Sequence, residues 1–283
     1  MQTTELGYPF PAPLVARFTT TSGEPLGPGG VITVSSPATG AALAPSVTIG
    51  LLDAQGWVTI PLTASATTGS YPITLTAAGI AAPAVGRMTN LACSIVVRNT
   101  NDSGPDSLHN ALACVSGGST VIFDPATFNT PRTITLTAQL PITRSLVISG
   151  PGSSLLTISG NNVTRTLFID SSAANPVRIF GLTLARGRVV GAIGGAVYVQ
   201  SAASLTISNT RIVDSMAVST TQFNGHGGGL YTNGPLILVN AQVLSNTAAN
   251  FGGFAASGAV TMTASTIASN TARDGNYGGF GAS

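Results

Sequence analysis

Beyond residue 119 the chain alternates apolar and polar side chains in short runs broken by Gly and Asn, and the runs recur. ASLTISNTRIVDSMA (203–217), GPLILVNAQVLSNTA (234–248) and GAVTMTASTIASNTA (258–272) align without gaps at offsets of 31 and 24 residues. PVRIFGLTLARGRV (176–189) is an earlier copy, 28 residues before the first of these. A Gly-Gly strand separates successive copies: GGAVYV, GGGLYT, GGFAAS and GGFGAS. Period-two alternation predicts strands, and three such runs per repeat predict a three-sided parallel β-solenoid. Its expected inward ladders are Leu205/Ile207 over Leu236/Leu238 over Val260/Met262, then Ile212, Val243 and Ile267, then Val197, Leu230 and Phe254. Asn246 and Asn270 share a register, which predicts an asparagine ladder at a turn. SLVIS, LLTIS and TLFID (145–170) make one further, less regular coil.

Ahead of this region the spacing differs. LVARFTTT, VITVSS, SVTIGLLD, WVTIPLTAS and YPITLTAAG follow one another at roughly ten-residue intervals between turn-forming breaks, the pattern of a β-sandwich. Trp57, Val58 and Ile60 read as core and strand-edge residues. Between the two regions, DSLHNALACVSGG predicts a short helix over 106–116. Asp106 is its expected N-cap, Leu108, Ala111, Leu112 and Val115 share one face, and His109 lies off it. Such a helix covers the open first coil of a solenoid. The expected organisation is a sandwich over 1–92, a linker and capping helix over 93–118, and a β-helix over 119–283.

Composition sharpens this all-β picture. Only 7% of residues are charged, the net charge is +2, and there is no lysine. Such a chain has no field to steer it onto nucleic acid, and no run of apolar residues is long enough for a transmembrane helix. In stacked coils a repeated charge meets its own copy one strand spacing away, so Asn, Thr, Ser and Gly are the residues a solenoid favours. MQTTELGYPFPAPL lacks the pattern of a signal peptide, and GGFGAS stops in mid-repeat, so the expectation is an internal piece of a longer exported polypeptide. Cys93 and Cys114 are the two cysteines; without a His pair they predict no zinc site. They suit either a disulfide in an exported protein or two small buried thiols.

Two family resemblances rest on these segments. LLDAQGWVTIPLTASATTGSYPITLTAAG, with Asp53, Gly56, Gly69, Ser70 and Tyr71 in place, resembles the closing half of a bacterial Ig-like domain of the invasin/intimin type; PLVARFTTTSGEPLGPGGVITV resembles its opening strands. The resemblance implies a spacer or presentation module. NTNDSGPDSLHNAL, STVIFD, TITLTAQLPIT and SLVISGPGSSLLTISGNN, with the repeats that follow, resemble bacterial surface proteins with a pectate-lyase-like right-handed β-helix. GGAV at 194–197 is similar to the "GGAI" of polymorphic outer membrane protein repeats, whose "FxxN" survives only as Asn209, Asn240, Asn246 and Asn270. That implies an extracellular or cell-surface location. It does not choose a function, because the fold hosts both enzymes and adhesins.

Candidate chemistry is sparse. Polysaccharide hydrolysis needs paired carboxylates, and β-elimination needs calcium-binding acids with a basic residue. After the helix the acids are Asp124, Asp170, Asp214 and Asp274, without a pair, and Asp214 and Asp274 fall at unequal registers. Asn224-Gly225-His226-Gly227 shares a Gly-His-Gly with polygalacturonases but lacks their aspartates; His226 is expected in a long solvated turn over 214–228. Tyr198, Tyr231, Phe223 and His226 are the candidates for contact with a carbohydrate or a partner, Tyr198 pointing out while Val197 points in. No catalytic residue, metal or cofactor is expected. The reading is a non-enzymatic, adhesin-like or structural surface protein, meeting surface glycans or host or neighbour-cell proteins and self-associating through an open β-helix end. The alternatives are a fragment of a polysaccharide lyase or glycoside hydrolase, or a carbohydrate-binding module.

Overall fold

Strand-forming alternation and turn chemistry are realised in two compact units, Met1–Cys93 and Ser94–Ser283, in the computed structural model. It describes residues 2–5, 10, 12–78, 83–91, 94–170, 176–220 and 225–282. The first unit holds β1 (Gln2–Glu5), β2 (Leu14–Arg17), β3 (Val31–Ser35), β4 (Val47–Leu51), β5 (Trp57–Ile60), β6 (Gly69–Ala77) and β7 (Ala84–Leu91). One sheet has the order β1-β7-β6-β3-β4, and β2 pairs with β5 in a second. Ile32 and Val34, Val58 and Ile60, and Tyr71, Ile73 and Leu75 come from both sheets into one core. Alternation located β2 to β6; β1 and β7 were not expected. In β7, Gly86, Arg87 and Asn90 break the apolar pattern, yet Asn90 is buried and holds the unit together. Its amide donates to the Ala42 and Thr67 carbonyls at 2.8 and 3.1 Å, and its oxygen accepts from the Tyr71 hydroxyl at 2.9 Å. Trp57 is not core: it is 42% exposed, with the Arg17 guanidinium 5.8 Å from the centre of its ring.

Burial pushes the Tyr71 phenol up to about 12, partly offset by the bond to Asn90. A folded-state value above the unfolded 10 stabilises the fold below pH 10, and that contribution is lost as pH rises through 12. The expected result is one tyrosine absent from the ultraviolet titration near pH 10. Its ionisation should coincide with loss of the first unit's structure, and Tyr71→Phe should abolish that late step.

In the second unit the helix α1 (Leu108–Cys114) starts one residue later than expected. Ser107, not Asp106, is the N-cap, its hydroxyl accepting from the Asn110 N–H at 3.1 Å. Asp106 instead adopts a left-handed backbone (φ 59°) and pairs with Arg98 at 3.0 Å. Leu108, Ala111, Leu112 and Val115 are buried in one continuous core with the first coils. Cys114 is disulfide-bonded; Cys93 lies outside the described residues. Among those residues α1 is the sole helix, and no helix is long and apolar enough to cross a membrane.

The rest is a right-handed parallel β-solenoid of about six turns. A first sheet of seven strands runs from Val96–Val97 to Val260–Thr263; a second and a third have six each, ending at Thr266–Ala268 and Phe280–Ala282. All three expected ladders are present in register: Leu205–Leu236–Val260, Ile212–Val243–Ile267 and Val197–Leu230–Phe254. SLVIS, LLTIS and TLFID do form a coil, and the strands Ser119–Phe123, Arg132–Thr135 and Leu140–Ile142 add another before it.

Three strands per coil is too few for the later turns. A narrow fourth sheet, Arg188–Val190, Met216–Val218, Thr247–Asn250 and Thr271–Asn276, lies between the second and third. The corner into it uses a left-handed residue in each coil, Arg186, Asp214, Ser245 and Ser269, at φ between 50° and 56°. Those residues carry no Gly or Pro signal, so sequence patterning ran the narrow strand into the one before it.

The Asn ladder sits at this corner, with Asn246 fully buried and Asn270 half-buried. Asn270 Oδ1 accepts from the Asn246 backbone N–H (2.9 Å) and side-chain amide (3.0 Å); Asn246 Oδ1 accepts from the Ser215 N–H (3.0 Å); Ser215 Oγ accepts from the Gly187 N–H (3.0 Å). Each side chain thus satisfies a backbone donor in the preceding coil. The Gly-Gly steps have an equally physical cause: a Cβ at Gly228 would overlap the Gly252 and Thr247 carbonyl oxygens, so only glycine lets the coils close at this edge.

Candidate binding face

Alternation on the third sheet sends Val197 and Leu230 inward, which leaves Tyr198 and Tyr231 outside. Phe168 pairs with Tyr198 and Tyr198 with Tyr231, so three aromatic side chains from successive coils form a column. Ring centres are 5.7 and 5.9 Å apart, in tilted and edge-to-face contacts, the arrangement that opposes negative ring faces to positive edges. Arg165 lies 5.2 Å from the centre of the Tyr198 ring and 5.8 Å from that of Phe168. Its guanidinium is buried and donates to the Gly194 and Ile193 carbonyls, both at 2.8 Å, and to the side chain of Gln139. Burial lowers its pKa to about 10, so it remains charged at neutral pH. Burial, then the Tyr231 neighbour, raises the Tyr198 phenol, while Arg165 and a bond from Asn233 pull the other way. Arg165 thus holds the Phe168 and Tyr198 rings, and burial favours the neutral form of the Tyr198 phenol.

The bulky column stops at Tyr231. The next two coils place Ala255 and Gly281 at the same register, which opens a trough of about 500 Å³. A second line of rings forms its side: His226 to Phe251 at 5.7 Å, and Phe251 to Tyr277 at 5.6 Å with the planes 4° apart. The backbone at Phe251 and Tyr277 is left-handed, φ 56° and 55°, and the equivalent residues in the two preceding coils are Gly194 and Gly227, φ 68° and 65°. An L-residue in this conformation costs about 1–2 kcal/mol. The later coils carry that strain, and what they gain is a pair of rings over the trough.

Of the expected contact residues, Tyr198, Tyr231 and His226 come to this face; Phe223 lies outside the described residues. His226 is not in a solvated turn. It is half-buried, its backbone bridges Asn250, and the segment expected to be one long loop contains the Met216–Val218 strand. Phe168, Phe251, Tyr277 and Arg165 were not singled out from sequence. A register comparison of Phe251 and Tyr277 with the glycines of earlier coils was the available signal. Asp214 and Asp274 do not meet: Asp214 precedes its narrow-sheet strand and Asp274 lies three residues past Thr271, two coils on, and both are exposed. Among the described residues no group of three or more His, Cys, Asp or Glu side chains is placed to hold a metal ion. Comparison of the chain with protein-family models, with curated proteins and with solved structures finds no match.

Proposed function

We propose that this is a non-enzymatic, adhesin-like protein of a bacterial surface or secretome. In this reading the first unit is an Ig-like spacer of the invasin/intimin type, α1 caps a pectate-lyase-like β-helix, and the β-helix is a rigid stalk that presents a binding face to host or neighbouring cells. The observation that carries it is the outward column Phe168–Tyr198–Tyr231, with Asp170 beside Tyr198, continued as an aromatic-walled trough whose described lining contains no carboxylate. A concave aromatic surface on a stiff scaffold suits recognition, and the lone Asp170 beside it makes no pair of carboxylates. The disulfide at Cys114 fits an oxidising compartment outside the cytosol. The test is binding of the labelled chain to intact bacterial and epithelial cells beside an assay for polysaccharide cleavage. The expected result is saturable binding, weakened about tenfold or more by Tyr198→Ala with Tyr231→Ala, and no turnover. Cleavage of any polysaccharide that disappears in His226→Ala would overturn it.

A further inference from the structure

We infer that the trough over Ala255 and Gly281 is a saccharide subsite that takes an uncharged oligosaccharide, Phe251 and Tyr277 forming one wall and Tyr231 closing one end. The inference rests on the adhesin reading above and names the ligand class for its binding face.

Three independent features lead there. First, space has been cleared. Along one register the side chains run Phe168, Tyr198, Tyr231, Ala255, Gly281, and a Cβ at residue 281 would overlap the Phe251 ring, so glycine is what lets that ring reach across the floor. Second, the wall is strained: aromatic residues occupy the left-handed corner that earlier coils fill with glycine, so solenoid closure does not call for rings there. Third, the lining is amphipathic and contains no Asp, Glu, Arg or Lys among the described residues. Phenyl and phenol rings, with the small apolar floor, match the C–H faces of a pyranose. The Tyr231 and Tyr277 hydroxyls and Ser257 supply donors and acceptors for its hydroxyl groups.

The same chemistry argues against other ligands. An anionic polymer such as a polyuronate finds no arginine or lysine in the lining, and Arg165 spends its donors on Gln139, Gly194 and Ile193. The volume, about 500 Å³, is that of a small-ligand cleft and not of a protein footprint.

The experiment is calorimetric titration of the full chain with cello-, manno- and chito-hexasaccharides and with an oligogalacturonate, followed by competition of cell binding with any sugar that binds. The expected result is a neutral hexasaccharide binding with a Kd in the range of about 1 μM to 1 mM. Tyr277→Gly relieves the left-handed strain, so it should melt no lower than the parent while binding about tenfold more weakly or worse. Gly281→Ala displaces the Phe251 ring and should weaken the same sugar, whereas Trp57→Ala, an exposed aromatic of the other unit, should leave it unchanged. Cell binding that no neutral sugar competes, or sugar binding indifferent to both Tyr277→Gly and Gly281→Ala, overturns the subsite and leaves the adhesin reading standing. Preference for the oligogalacturonate also overturns it. A chain that binds neither cells nor sugars overturns both.

Discussion

Asn246→Ala is expected to destabilise the second unit by about 3–5 kcal/mol, a large part of the margin that holds a typical domain folded. Asn246 is fully buried. Its oxygen accepts from the Ser215 N–H at 3.0 Å, and its amide donates to the Ile212 carbonyl and to Asn270 Oδ1, both at 3.0 Å. Alanine leaves the Ser215 N–H without its acceptor, at about 1–3 kcal/mol for a donor that water cannot reach, and removes one bond each from the Ile212 carbonyl and from Asn270 Oδ1, which keeps the residue 246 N–H, at about 1 kcal/mol per bond. Asn270→Ala, in the last described coil where the site is half-exposed, should cost about 1 kcal/mol, because water replaces the lost bonds. Urea denaturation of the full chain reads both. Asn246→Asp adds a pH test. Burial raises the new carboxyl's folded-state pKa, so the variant should be more stable near pH 4 than at pH 7. Equal costs for the Asn246 and Asn270 alanine variants would sink the idea that buried donor satisfaction, not the amide side chain as such, holds the corner.

The second large effect is a gradient along one ladder. Ile207→Ala should cost about 2–5 kcal/mol, since Ile207 is fully buried between the coils of Ile179 and Leu238. Met262→Ala, on the same ladder, should cost about 1 kcal/mol or less, since Met262 is 37% exposed and has a coil on one side only among the described residues. Nearest-neighbour coupling is the reason: in a solenoid each coil is stabilised by the coils it touches. The same geometry leaves Val260–Thr263 and Thr266–Ala268 with an unpaired edge among the described residues, and the expected consequence is self-association of this 283-residue polypeptide. Thr261→Lys, which places a charge on that edge strand, should reduce it in sedimentation velocity. A monodisperse monomer at high concentration, or no response to the lysine, would count against an adhesive edge.

The solenoid was legible because its physics is periodic. A coil's nearest contacts are its own equivalents in the coils above and below, so Leu205, Leu236 and Val260 must be alike, and the alignment of three segments already states their pairing. Low charge follows from the same stacking. The helix was legible from its apolar face, but not its start, because Asp106 and Ser107 are both good caps. Only the fold shows that Asp106 turns left-handed toward Arg98 and leaves the cap to Ser107.

The narrow sheet and the trough were not legible, for one shared reason. Both depend on left-handed corners made by residues that do not announce them, Arg186, Asp214, Ser245 and Ser269 at one corner and Phe251 and Tyr277 at the other. Tyr198 and Tyr231 stand out in the sequence because strand alternation points them outward. Phe251 and Tyr277 stand beside glycines in what reads as a turn, and nothing in their local pattern says that the rings stack or that Gly281 makes room for one of them. The repeat, the inward ladders and the sparsely charged surface are thus properties of amino-acid order, since stacking couples each residue to its own copy at a fixed offset. The groove belongs to the folded chain alone, since it forms where corner dihedrals swing side chains from different coils to one side of the sheet.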